Sequence, residues 1–395
     1  MKQLSKIMLA TVASVALAAP AFAWDFGASG SSSAKWMTRT TNSGLEGASG
    51  ITSAAFSSSA GGVSISSSNS EGPNSATLTY SLDFNSDSGA LNLDESFGLS
   101  ASKKVGNWTA SSATTQYIQK DSNSGETMTG DGSAVITLTD GSITYKLGST
   151  GHLSTAEKTS GGPMAGIQDA EARLDSFNGF SVGLGVGPGT LTVALDMHSG
   201  TSSVFFGEGL DGDDNASAGA DTATACGSDT TGFGLNFAGD VGADLTFTYA
   251  TGSSSAKPTC TGDSSSNATS MNTMGLGVAV PVGGMTIALD YESTAYAMNV
   301  QTVETSKAKS GFEISVTMPV GDATAGVNIS STSSTVTTPA GSGDAAVTAG
   351  TEVWYTVPIG PVSLSAGYGS AAVTSAAGDD TETTTEIGAE MSMSF

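Results

Sequence analysis

Past residue 23 the sequence has no apolar run long enough to cross a bilayer as a helix, which takes about 20 residues. Its most apolar later stretch, Met274 to Leu289, is interrupted by Pro281, Gly283 and Gly284. Charge is scarce too: 13% of residues are charged, and only 13 of these are Lys or Arg. A nucleic-acid partner needs a basic footprint, so that class is excluded. The two histidines, His152 and His198, stand apart, and no G-x-S-x-G, H-E-x-x-H or phosphate-loop motif occurs. No catalytic residue, cofactor or metal is therefore expected, and the chain does not read as an enzyme. Asp211-Gly212-Asp213-Asp214-Asn215 begins like a calcium loop, but Ala216 and Thr222 stand where that pattern wants Gly and Glu. With Glu208, the stretch reads as a solvated acidic loop. Leu, Ile, Val and Phe are thin, yet regular alternation argues against disorder.

What the sequence has is an export signal and period-two patterning. Lys2 and Lys6 precede an apolar segment, Ile7 to Ala19, and Ala21-Phe22-Ala23 has the form of a cleavage site. Residues 1–23 are expected to be removed, leaving 24–395 as one domain. Without Lys2 and Lys6, 11 basic residues face 37 acidic ones, a net charge of −26 that favours cations as partners.

Ala76, Leu78, Tyr80, Leu82 and Phe84 alternate with polar residues, as do Ile387, Ala389, Met391, Met393 and Phe395. Such spacing gives a strand one oily face and one polar face. The first strand is expected over Trp24 to Lys35, and residues 39–75 hold one or two further strands without clear bounds. Glu95 falls on an oily parity, which a bulge or strand end would accommodate. Asp140-Gly141, Gly187-Pro188-Gly189 and Gly239-Asp240 mark hairpins. Three more share the form Val280-Pro281-Val282-Gly283, Met318-Pro319-Val320-Gly321 and Val357-Pro358-Ile359-Gly360, with Pro and Gly suited to a tight turn. Long loops are expected at 149–179, 199–231, 292–310, 331–350 and 370–383.

About 18 strands, with short turns alternating with long loops, make the fold class all-β: a transmembrane antiparallel β-barrel of 16–18 strands. Closure pairs every backbone group that hydrocarbon leaves without water. Trp36, Tyr80, Phe84, Tyr249, Tyr291, Trp354, Tyr368 and Phe395 suit interfacial girdles, or are simply large surface side chains. With the apolar parity toward lipid, Asp83, Asp196, Asp244, Asp290, Glu313, Glu352, Glu386 and Glu390 fall on the lumen or rims, with Lys35 and Lys146 as basic counterparts. Isolated carboxylates cost too much to leave in an apolar environment, and an acidic lumen lowers the barrier for cations. The other reading places most of them at strand ends, where they set no selectivity.

Within 149–179, Ile167, Ala170, Leu174 and Phe177 recur on one helical face, with Pro163 at the start and Asn178-Gly179 at the end. Asp169, Glu171, Arg173 and Asp175 occupy the rest of that helix. Cys226 and Cys260, around the hairpin 232–249, are expected to pair, as two thiols in an exported chain most simply do.

The signal segment, the hairpin layout and the closing strand ending on Phe395 resemble the general-diffusion porins of Gram-negative outer membranes. The resemblance is architectural, without an active-site motif. It implies a barrel in the outer membrane, a homotrimer, and passive diffusion of small hydrophilic solutes. It also implies insertion by the outer-membrane assembly machinery through the C-terminal strand. In porins one loop folds inward and narrows the channel, and 149–179 is similar, although it lacks a Pro-Glu-Phe-Gly-Gly signature; an outer cap is the other reading. A structural or adhesive surface barrel with little transport role remains the alternative function.

Overall fold

The structure is a computed structural model. It describes residues 25–42, 51–57, 61–85, 92–119, 133–154, 156–162, 177–200, 228–256, 266–300, 303–338, 341–342, 346–374 and 381–395. The signal segment 1–23, residues 163–176 of the expected helix and both cysteines lie outside the described residues; Phe177 and Asn178, expected at the end of that helix, instead open a strand that pairs with Thr150 and Ser149.

Contacts gather the chain into two compact units: residues 1–32, 59–140 and 394–395, and residues 33–58 and 141–393. In the first, the opening of β1 (Asp25–Asn42) pairs with β3 (Gly61–Glu71). Then follow β4 (Asn74–Asn85), β5 (Asn92–Val105), β6 (Trp108–Gln119) and β7 (Ser133–Thr139), each antiparallel to the one before. In the second, the remainder of β1 pairs with β2 (Ile51–Ser57). The ladder of this unit begins with β8 (Ile143–Thr150), β9 (Phe177–Val186), β10 (Gly189–Gly200), β11 (Ser228–Asp240) and β12 (Asp244–Ala256). It continues through β13 (Ser266–Val282), β14 (Met285–Val300), β15 (Val303–Val320) and β16 (Ala323–Thr338). The short β17 (Gly341–Ser342) precedes β18 (Ala346–Ile359), β19 (Val362–Thr374) and β20 (Thr381–Ser394).

All 20 segments belong to one sheet, and β1 pairs with β20 as well as with β2 and β3. β2 and β3 take successive parts of β1, while β17 and β18 take successive parts of β16. The fold is therefore an antiparallel closed β-barrel of 18 strands, of transmembrane type.

Its hairpins turn on glycine. Gly72, Gly106, Gly187, Gly283, Gly321 and Gly360 each open a two-residue turn with φ between 57° and 64°, a conformation that side chains with a Cβ resist. Pro281, Pro319 and Pro358, expected in these turns, are instead the penultimate residues of β13, β15 and β18. Near a ladder's end a missing N–H costs little.

The strands also reach further than the apolar pattern suggests. β1 continues to Asn42, and β14 and β15 take up most of the loop expected at 292–310. β16 runs to Thr338, and β19 to Thr374. In these extensions Ser, Thr and Ala keep the ladder after the oily side chains stop, so the hydrophobic signal ends before the hydrogen bonding does. Glu95 meets no bulge: β5 stays in register on both sides, and Glu95 hydrogen-bonds with the Tyr80 side chain.

The burial pattern is inside out. Along β18, Gly350, Glu352 and Trp354 are buried, while Ala349, Thr351, Val353 and Tyr355 are exposed. Large apolar side chains such as Leu289, Ile314, Val353 and Ile387 stand on the open face, and Asp290, Glu313, Asn328 and Glu386 on the covered one. A water-soluble sheet buries the opposite face.

Candidate functional site

The covered face of the second unit is polar. Strand alternation places Asp196 on β10, Asn236 on β11, Thr248 on β12 and Asp290 on β14 there, followed by Glu313, Asn328, Glu352 and Glu386 on β15, β16, β18 and β20. All are buried. Register brings several together. Asp290 is the direct cross-strand partner of Glu313, and Asn328 that of Glu352. Glu352 and Glu386 both pair with Gly369, from opposite sides.

What covers this face is the chain just after β8. Residues 151–154 and 156–162 form neither helix nor strand and run across the staves as an irregular strap. Near its start stands His152, whose Nδ1 lies 2.9 Å from the Ser181 hydroxyl and whose Nε2 lies 2.8 Å from the carbonyl of Gly148. Nε2 must therefore carry a proton to donate, and Nδ1 accepts from Ser181. The Ser154 carbonyl next accepts from Asn236 Nδ2 at 3.2 Å and Thr248 Oγ1 at 2.8 Å. At β13 the strap passes so close that a Cβ on Gly277 would collide with the Ala156 carbonyl. Only glycine admits that approach.

Asp290 anchors the middle of the strap. Its two oxygens accept the Lys158 N–H at 2.9 and 2.8 Å, and Oδ2 also accepts the Thr159 N–H at 2.7 Å and the Thr159 hydroxyl at 2.6 Å. The Lys158 ammonium reaches Asp244 at 2.8 Å. Further on, Ser160 N–H donates to Ser315 at 3.0 Å, and Gly162 N–H to Glu352 at 2.8 Å. A charge-assisted bond contributes about 1.5–3 kcal/mol, so the carboxylates hold the strap chiefly through its main chain. Burial pushes the His152 imidazole below its ordinary pKa. The Gly148 carbonyl opposes that shift, and the nearby Lys146 charge adds to it.

The expected residues divide into several groups. Asp196, Asp290, Glu313, Glu352 and Glu386 are buried on the polar face. Glu386 pairs with Arg39 at 2.5 Å. Asp244 is exposed, while Lys35, Lys146 and Glu390 are half-buried. Lys146 donates to the Gly151 carbonyl at 3.4 Å, at the strap's start. The Asp83 side chain, Asp169, Glu171, Arg173, Asp175, Cys226 and Cys260 lie outside the described residues. Trp354, expected among the girdle aromatics, instead packs inward over Gly326 and against Gly162, because it shares the parity of Glu352.

Two features escaped the sequence. Glu292 is buried on the polar face, 3.6 Å from Lys309, beyond the point where the apolar pattern ends β14. The strap itself docks by backbone N–H groups, which every residue type supplies. Its one sequence sign is a small apolar trace, Leu153 and Ala156, both buried.

No family model matches the chain, and no curated protein matches it in sequence. Solved structures do. The outer membrane channel DcaP of Acinetobacter baumannii aligns over 94% of this chain and 97% of its own, with 10% identity and a TM-score of 0.53. OccK9 of Pseudomonas aeruginosa aligns over 93% and 98% with 10% identity and a TM-score of 0.49. A loop-deleted OmpT, an outer membrane protein of Vibrio cholerae, aligns over 94% and 100% with 10% identity and a TM-score of 0.47. At such identity the likeness is one of fold: the chain shares the barrel architecture of outer-membrane channels.

Proposed function

We propose that this protein is a passive channel of a Gram-negative outer membrane, admitting small hydrophilic solutes and favouring cations. The observation that carries the reading is the inside-out wall, with its oily face open and its acidic face covered by a strap. An outward apolar face suits lipid, and a polar inward face suits water. On this reading Asp196, Asp244, Asp290, Glu313, Glu352, Glu386 and Glu390 line the lumen or its rims, with Asp83, Lys35 and Lys146. The strap 151–162 then narrows the passage, and Glu157, exposed on it, adds another negative charge. Residues 163–176, with Asp169, Glu171, Arg173 and Asp175, continue from the strap toward β9. The acidic balance of the whole chain supports cation entry as well.

The protein then acts on no substrate chemically. Its partners are lipid, solutes, the assembly machinery that recognises the final strand, and two further copies in a trimer. The test is planar-bilayer recording under a salt gradient. Stepwise conductance with a reversal potential of cation sign supports the reading, and absence of channels or anion selectivity overturns it.

A further inference from the structure

Asn328 and Glu352 face each other across β16 and β18, and they are 1% and 2% exposed. Asn328 turns its amide nitrogen to the Glu313 carboxylate and, at 3.5 Å, to the Ser160 carbonyl. Chemistry requires that orientation, since the reverse would aim an oxygen at two acceptors. Oδ1 is consequently turned away from the Glu313 oxygen that Nδ2 meets, and Glu352 is the cross-strand partner on β18. Oδ1 is buried without a hydrogen-bond partner. Left so, it would cost the fold its desolvation.

The surroundings are oxygen-rich. Besides Oδ1 there are the Glu352 carboxylate, the Glu313 carboxylate, the Ser160 carbonyl and the Ser315 hydroxyl, which belongs to the cross-strand partner of Asn328. Asp290 is not among them, because its oxygens are occupied by four strap contacts. Among the described residues no three His, Cys, Asp or Glu gather as a metal cluster. A set of two carboxylates with neutral oxygens suits a hard divalent cation, not one that seeks imidazole or thiolate.

We propose that Asn328 Oδ1 and the Glu352 carboxylate, with Glu313 and the Ser160 carbonyl beside them, bind a divalent cation of the calcium class. The site lies where the strap meets β15, β16 and β18. Bound there, the ion bridges strap and wall, and it supplies the partner that Oδ1 lacks. This site does not depend on whether the barrel conducts.

Trp354 provides the readout. It stands two residues beyond Glu352 on the same face, 6% exposed, with its Cβ against Gly162. A terbium ion in the site receives energy from that indole. The folded full-length chain in detergent, stripped of metal, is titrated with terbium and then with calcium. Saturable luminescence displaced by calcium is expected. Glu352→Gln weakens affinity about tenfold and Asn328→Asp strengthens it, since ligand charge tunes such sites. A misfolded variant cannot bind more tightly, so the second substitution guards against trivial loss. Trp354→Phe dims the signal while calorimetric calcium binding persists. Absence of saturable luminescence overturns the proposal. So does luminescence indifferent to Glu352→Gln and Trp354→Phe, which would place the ion on the acidic stretch 208–215.

Discussion

Lys158 gives its backbone N–H to both oxygens of Asp290, at 2.9 and 2.8 Å, across 132 residues of sequence. The contact uses the main chain of one residue and the charge of the other, so the side chain of Lys158 is left to reach Asp244. Asp290→Ala removes the acceptor for the amides of Lys158 and Thr159, both on half-buried residues. Loss of about 1–3 kcal/mol per orphaned donor is expected, released as local detachment of the strap while the barrel stays folded. Limited proteolysis within 151–162 and open-channel current noise both rise if this is right. Unchanged protection would show that the strap is held elsewhere.

Leu289 is the neighbour of Asp290 on the opposite face, 36% exposed against 1%. If that open face meets lipid near mid-membrane, Leu289→Arg costs about 2–4 kcal/mol. Asp290→Asn should instead alter conductance and spare membrane folding. Urea titrations of both variants in lipid vesicles check the pair. Equal tolerance would mean that the two faces have been exchanged.

These two residues also mark what the sequence makes legible. Alternation assigned opposite faces to Leu289 and Asp290 because a strand repeats every two residues, and the same rule found β18 and β20. It ended β14 at Tyr291, since Glu292, Ser293 and Thr294 carry no oily partner, yet the ladder continues to Val300. Hydrogen bonding between main chains has no hydrophobic signature. For the same reason the strap was unreadable: Lys158, Thr159, Ser160 and Gly162 dock through amides common to all residues. The glycine that admits it, Gly277, looks like any other glycine in a strand. Glu313 and Glu352 could be placed on a face by parity, but their meeting with Asn328 depends on register between strands.

His152 makes strap docking sensitive to acid. Its pKa is lowered, first by burial and further by the Lys146 charge, against the Gly148 contact. Between that lowered value and about 6.5, where a free imidazole titrates, the undocked chain binds more protons than the docked one. Stability from this group is complete above about pH 6.5 and declines as pH falls toward the lowered value. Proteolytic protection of 151–162 should weaken over that window. His152→Gln should flatten the dependence, leaving only carboxylate titration at lower pH. A profile unchanged by His152→Gln would remove the histidine from the account.

Cys226 and Cys260 flank β11 and β12. If they pair, the bridge closes about 34 residues and stabilises by roughly 3–4 kcal/mol in the chain-entropy model. Mass measurement with and without reductant should differ by two hydrogens. Two freely alkylated thiols in the unreduced protein would refute the pairing.

Phe395 and Gly30 exchange both backbone hydrogen bonds, at 2.8 and 2.9 Å. The phenyl ring lies over Gly30, where an added Cβ would meet Cζ at 2.5 Å and the Gly62 carbonyl oxygen at 2.9 Å. The final strand thus meets the first at Gly30. Of the two obstacles, the ring is the far end of a side chain and swings aside, whereas the carbonyl is held by its ladder. Gly30→Ala should therefore destabilise by about 1–3 kcal/mol, the range of overpacking. Adding Phe395→Ala to it should restore only part of the loss, because the contact with Gly62 remains. Heat-dependent mobility on a denaturing gel, read for both single variants and the double, separates the two contributions. Full restoration would mean that the ring alone excludes a side chain at position 30, and no restoration would assign the exclusion to Gly62.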